Sequence, residues 1–232
     1  MIDSISIKIE NIPAIIYGAD LEKVYIYVHG KMGCKEEAAA FAEIACPKGY
    51  QVLSIDLPGH GERKSEMDSF VPWKVEVELQ SVMKYAKVHW NQILLRATSI
   101  GAWFCMLAYP NENLTKSLFV SPVLDMEQLI KNMMQWASVT EKTLKERKVI
   151  PTNFGETLDW EYYQYVRKNP LVDWKSTTAI LYAGKDNLTS RKTVDNFVLH
   201  FQSRLTVMEY GEHWFHTPEQ LLALNKWERE NC

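Results

Sequence analysis

Three residues far apart in this chain could together activate a hydroxyl group. Ser99 stands in Ala97-Thr98-Ser99-Ile100-Gly101-Ala102, Asp186 in Tyr182-Ala183-Gly184-Lys185-Asp186, and His213 in Gly211-Glu212-His213-Trp214. An imidazole titrates near neutrality, so His213 can take a serine proton and later return it. A carboxylate such as Asp186 would fix its tautomer and stabilise the imidazolium. The chemistry available to such a set is attack by a serine oxygen on an acyl carbon. Each residue also has a plainer use. A serine ahead of a helix can be its N-cap. An aspartate here can cap a helix starting near Thr189 or Ser190. His216 rivals His213, but it directly precedes Thr217-Pro218, the expected start of the last helix, whereas a loop histidine at 213 can reach back over a sheet edge. The pair His213 and His216 lacks the further ligand spacing of a metal site.

Such a reaction also needs donors for the anion that develops. His29-Gly30-Lys31-Met32-Gly33 follows an early apolar run, and its glycines let the backbone turn N–H groups toward a nearby serine. The amide of Lys31, or that of Met32, together with that of Ile100 would form the anion site, each donor worth a few kcal/mol. An ordinary glycine turn between a strand and a helix is the simpler alternative for this loop. Small residues at 97 and 101 suit a tight strand-to-helix turn that lifts the Ser99 hydroxyl above a sheet and aims helix N-terminal amides beside it.

The elements that must position these groups alternate along the chain. Ile5, Ile7 and Ile9 alternate with polar residues as on a half-buried edge strand, with 13–17 as a hairpin partner. Val24 to Val28 is apolar at nearly every position, as in a strand covered on both faces. Helical spacing over 35–46 leads to the strand 52–55. Pro72 opens a helix with Val75, Leu79, Val82 and Ala86 on one stripe. Strand 93–95 runs through Ser99 into the all-apolar helix 102–108, followed by strands at 118–120, 178–182 and 204–208. Strands alternating with helices predict a mostly parallel sheet with helices on both faces. Residues 123–172 interrupt the rhythm with charged and aromatic helical segments, and predict an insertion over one end of the sheet. One domain over 1–232 accommodates all of this.

The 232 residues are 47% apolar and 24% charged, with a net charge of -3 and a pI near 6.1. This balance argues against nucleic acid as a partner, since no basic stripe matches phosphate charge. No apolar run approaches bilayer-spanning length, so stable membrane insertion is not expected. The first residues carry no basic segment ahead of an apolar one, which leads to the expectation of a cytoplasmic protein. Cys34, Cys46, Cys105 and Cys232 are scattered and read as free thiols.

Taken together, His29-Gly30-x-x-Gly33, Asp56-Leu57-Pro58-Gly59-His60-Gly61, Ala97-x-Ser99-x-Gly101, and the pair Gly184-x-Asp186 and Gly211-x-His213 resemble the α/β-hydrolase superfamily. The likeness is to its small serine esterase and monoacylglycerol-lipase-like members, and it extends over 24–217. Ala97 replaces the glycine most common at the first elbow position. The resemblance implies an α/β-hydrolase fold, a Ser99–His213–Asp186 triad and a helical lid over 123–172. It also implies that Asp56 to Gly61 is a mainly structural loop, with His60 at the base of the site. Met32, Met133, Met134, Trp136, Trp160, Tyr163 and Trp214 would line an adaptable apolar pocket, or else glue the insertion to the core. The expected partner is a small acyl substrate, an ester first, with amide or thioester cleavage or a non-catalytic binding role as alternatives. No cofactor or metal is required by this chemistry.

Overall fold

The computed structural model describes residues 2–232. The chain opens with a hairpin, β1 (Ser4–Ile9) against β2 (Ile12–Tyr17), then β3 (Lys23–Val28), α1 (Ala38–Ala45), β4 (Gln51–Ile55), α2 (Pro72–His89), β5 (Gln92–Thr98), α3 (Ile100–Ala108) and β6 (Ser117–Val120). Next come α4 (Met126–Trp136), α5 (Glu141–Arg147), β7 (Val149–Pro151), β8 (Thr157–Asp159) and α6 (Trp160–Lys168). The last elements are β9 (Thr178–Ala183), α7 (Arg191–Phe201), β10 (Arg204–Met208) and α8 (Pro218–Asn231). Eight strands form one sheet in the order β1-β2-β4-β3-β5-β6-β9-β10. The pairs β1–β2 and β2–β4 are antiparallel and the others are parallel. The expected mostly parallel sheet is therefore present.

The central strands are buried on both faces because their side chains alternate between two apolar layers. From β3, Val24, Ile26 and Val28 pack with Val75 and Leu79 of α2 and with Trp103 and Phe104 of α3. Tyr25 and Tyr27 point the other way, toward Phe41 of α1 and Trp227 of α8. Arg96 of β5 is buried on that second face, where its guanidinium donates to Glu228 of α8 at 2.7 and 2.9 Å and lies over the Tyr27 ring. Removing either partner would leave a buried charge alone, so this pair anchors α8 to the sheet.

The segment between β6 and β9 departs from the sheet, as its composition predicts, yet it is not wholly helical. The short hairpin β7–β8 pairs Ile150 with Leu158, and both side chains are buried. Tyr165 of α6 donates to Glu76 of α2 at 2.5 Å, and Trp73 of α2 packs on Tyr162 and Tyr165. All four cysteines are free. Among the described residues, no helix is long and apolar enough to cross a membrane.

Candidate active site

The elements converge at the C-terminal edge of the parallel strands, where sheets of this kind place their ligands. Ser99 follows β5 directly and has φ 51 and ψ -123, a strained backbone for a residue with a side chain. Three backbone bonds hold it there. Its N–H donates to Val120 O at 3.0 Å, and its carbonyl accepts from Ala102 and Val123 at 3.1 Å. The hydroxyl makes no capping bond to α3. Its oxygen instead lies 2.8 Å from His213 Nε2.

Gly101 explains how α3 can start so close to the neighbouring loop. A Cβ at this position would stand 2.3 Å from the His29 carbonyl oxygen and 3.0 Å from that of Val28. The first turn of α3 is thus seated on the end of β3, which brings the loop after His29 against Ser99.

The other two residues leave adjacent strands. Asp186 follows β9 and His213 follows β10, and their loops are stitched together. Gly184 N–H donates to Met208 O at 2.8 Å and Lys185 N–H to Gly211 O at 2.9 Å. A Cβ on Gly184 would meet Glu209 O at 2.4 Å, so the close approach requires glycine. Asp186 does not cap α7; Ser190 does, accepting from Thr193 N–H. One Asp186 oxygen accepts from Leu188 and Thr189 N–H at 2.8 and 3.0 Å. The other stands 2.7 Å from His213 Nδ1, and the carboxylate is fully shielded from solvent. His216 is not part of this set. Its Nδ1 donates to Trp214 O at 2.7 Å and its ring stacks on Trp214.

Beside Ser99 runs the 29–33 loop. Gly33 N–H donates to Gly30 O at 3.2 Å, closing a turn in which Met32 adopts φ 66. Among the described residues the Lys31 N–H has no acceptor. Ile100 N–H is the first of α3 and has no intrahelical partner. The Met32 N–H is likewise without an acceptor among the described residues, so both the loop and the first turn of α3 keep unclaimed donors, and a helix N-terminus favours negative charge.

His29 fixes the base of this loop, a role the sequence reading did not assign. It is buried, receives the Leu57 N–H on Nε2 at 3.1 Å and donates from Nδ1 to Gly30 O at 2.7 Å. Burial drives its pKa down to about 4. The bond to Gly30 opposes this, and nearby His60 adds to it. Asp56 is buried too, and its carboxylate accepts from Lys35 N–H, Lys35 Nζ and Glu62 N–H. Burial alone would raise its pKa, but those bonds outweigh it and hold the carboxyl below its usual range. Lys35, buried, is likewise pushed up by Asp56, Glu62 and Glu36 against the desolvation that would lower it. The 56–61 loop is in this sense structural, and His60 lies 5.2 Å from the His29 ring.

The residues expected to line a pocket are divided. Met134 and Tyr163 are packed into the main core, while Met133 and Trp160 pack partly buried against it. α4 and α6, which carry them, pack against each other and against β8, and α6 also against α2. Trp136 is exposed and meets Phe154 edge to face. Met32, at the tip of the 29–33 loop, and Trp214, next to His213, are exposed, at 91% and 74%. A cleft of about 530 Å³ opens elsewhere, between Leu124, Leu171 and Phe197, and one of about 240 Å³ lies beside Trp73 and Tyr165. Neither borders Ser99.

No protein-family model matches the chain, and no curated protein matches it by sequence. Solved structures do match over nearly the full length. Est1E from Butyrivibrio proteoclasticus with ferulic acid bound is 17% identical at a TM-score of 0.77, covering 97% of this chain and 96% of that one. Alpha/beta hydrolase domain-containing protein 10 from mouse is 13% identical at 0.75, covering 99% and 97%. A thioesterase domain from the curacin biosynthetic pathway is 16% identical at 0.61, covering 98% and 99%.

Proposed function

The chain has the α/β-hydrolase fold, and on that premise we propose that it is a serine hydrolase cleaving a carboxylic ester or related acyl compound through an acyl-enzyme. The observation that carries this reading is the run of short contacts from Ser99 Oγ to His213 Nε2, 2.8 Å, and from His213 Nδ1 to Asp186 Oδ2, 2.7 Å. With Nδ1 protonated and donating a hydrogen bond to the Asp186 carboxylate, the imidazole offers Nε2 as acceptor for the serine proton. Ser99 attacks the acyl carbon as His213 takes that proton. The carbonyl oxygen becomes an anion received by the N–H groups of Lys31 and Ile100. His213 then protonates the leaving group, and the acyl-enzyme is hydrolysed by a water that His213 deprotonates.

Residues 123–172 act in this reading as a lid within the single domain, with Met32 and Trp214 as apolar contacts at the mouth. A thioester is the second substrate class, favoured by the likeness to a thioesterase domain. Turnover of p-nitrophenyl esters of short and long acids, compared with thioester and aminoacyl substrates, tests both. Ester or thioester cleavage that disappears in Ser99→Ala is expected. A folded protein that cleaves none of them would leave a binding role instead.

A further inference from the structure

Lys31 and Glu156 lie 125 residues apart in sequence, and the Lys31 ammonium sits 2.5 Å from both oxygens of the Glu156 carboxylate. The contact joins the loop beside Ser99 to the turn of the β7–β8 hairpin. Resting on the serine hydrolase reading above, we propose that Glu156 is a positioning residue for the anion site. It clamps the Lys31 side chain, and thereby holds the backbone from which the Lys31 N–H would reach the developing oxyanion.

The loop needs such a clamp. Its Gly30–Gly33 turn places Met32 at φ 66, the position that glycine normally fills. The Met32 side chain is 91% exposed, so its own packing holds nothing. The base of the turn is secured where Gly30 O accepts from both His29 and Gly33. At the tip, residues 31 and 32, the Lys31–Glu156 pair is the one side-chain bond among the described residues. A strained turn fixed at its base and free at its tip would populate other backbone arrangements. An oxyanion donor is useful only when already aimed.

Glu156 is suited to hold it. Its carbonyl accepts from Thr152 N–H at 2.8 Å and Thr152 Oγ1 at 2.7 Å, and its N–H donates to Thr152 Oγ1 at 3.2 Å. The hairpin behind it is seated by buried Ile150 and Leu158. The carboxylate is presented from a rigid turn, in contrast to the long side chains that meet along helix surfaces.

The pair is partly open to solvent, 38% and 39% exposed, so its effect is modest and salt-sensitive. An ion pair of this kind biases a two-state equilibrium by about two- to fivefold. Glu156→Gln should lower kcat by that factor and leave KM within about 1.5-fold, because the anion forms only on the way to the intermediate. Glu156→Asp should recover part of the loss. Raising salt from low to about 1 M should bring wild-type kcat down toward the Glu156→Gln value, which itself should hardly respond. Exposed Glu146→Gln, in the same insertion, serves as control. Fluorophosphonate labelling of Ser99 is measured alongside. If the folded wild type does not label, the hydrolase reading fails. If it labels and Glu156→Gln keeps kcat, changes KM alone, or raises kcat, the positioning role is overturned while that reading stands.

Discussion

Replacing Gly101 by alanine adds one methyl group at the tightest backbone crossing in the site. The new Cβ would stand 2.3 Å from His29 O, 3.0 Å from Val28 O and 3.1 Å from Val28 Cγ1. Two of these three neighbours are backbone, so a side-chain rotation cannot relieve the contact. The first turn of α3 must move away from the end of β3 by about 1 Å, and overpacking of this kind costs about 1–3 kcal/mol or more. The same movement separates Ser99 and the Ile100 N–H from the Lys31 loop, and a misplacement of about 1 Å costs on the order of a hundredfold in rate. Urea unfolding should therefore show a loss of about 3 kcal/mol. Ester turnover by the fraction that remains folded should fall about a hundredfold. Ala97→Gly is the internal contrast. It removes a methyl from the buried C-terminal end of β5, and should cost about 1 kcal/mol and leave turnover within about twofold. Gly101→Ala with wild-type stability and rate would refute the seating of α3 on the end of β3 as the reason for glycine here.

Three further outcomes follow from the same geometry. His213→Ala should abolish measurable ester turnover with the fold intact by circular dichroism, whereas His216→Ala, which loses a bond to Trp214 O and no contact with Ser99, should stay within about threefold of wild type. Asp186→Asn should reduce kcat by about ten-thousandfold, the effect of this exchange in a well-studied serine protease, because the histidine would hold the wrong tautomer. His29 has its pKa lowered to about 4 in the fold against about 6.5 when unfolded. The unfolded chain therefore binds that proton first. The stability it supplies is complete above pH 6.5 and is lost as pH falls toward 4, on the order of 3 kcal/mol. Urea midpoints at intervals across this window should decline in the wild type and decline less in His29→Asn.

What could be read from the residues was whatever has a local signature. The continuous apolar run Val24–Val28 identifies a strand covered on both faces and the shorter Ile93–Leu95 a strand, and they lie inside the observed β3 and β5. The tight turn at Ser99 was legible because its neighbours, Ala97 and Gly101, had to be small. The expected positions of Asp186 and His213 were legible because each follows a strand and a glycine. Other features have no local mark. Strands of three residues, such as β7 and β8, are too short to show an alternating period, so the insertion reads as helical throughout. Lys35 stands in a charged run, Lys35-Glu36-Glu37, that looks solvated, yet it is buried against Asp56. Glu156 meets Lys31 only because the hairpin folds back on the loop. Met134 and Tyr163 have the chemistry of pocket residues, but α4 and α6 pack against each other and against β8, and both side chains are buried in the core.

Whether this chain is a serine hydrolase turns on the reactivity of one hydroxyl, and a fluorophosphonate probe measures it directly. After brief exposure of the folded protein, digestion and mass analysis of peptides should find one phosphonylated residue, Ser99, with labelling lost in Ser99→Ala and strongly slowed in His213→Ala. A wild type that remains unmodified, or one labelled at another residue while Ser99 stays free, would rule out Ser99 as the nucleophile.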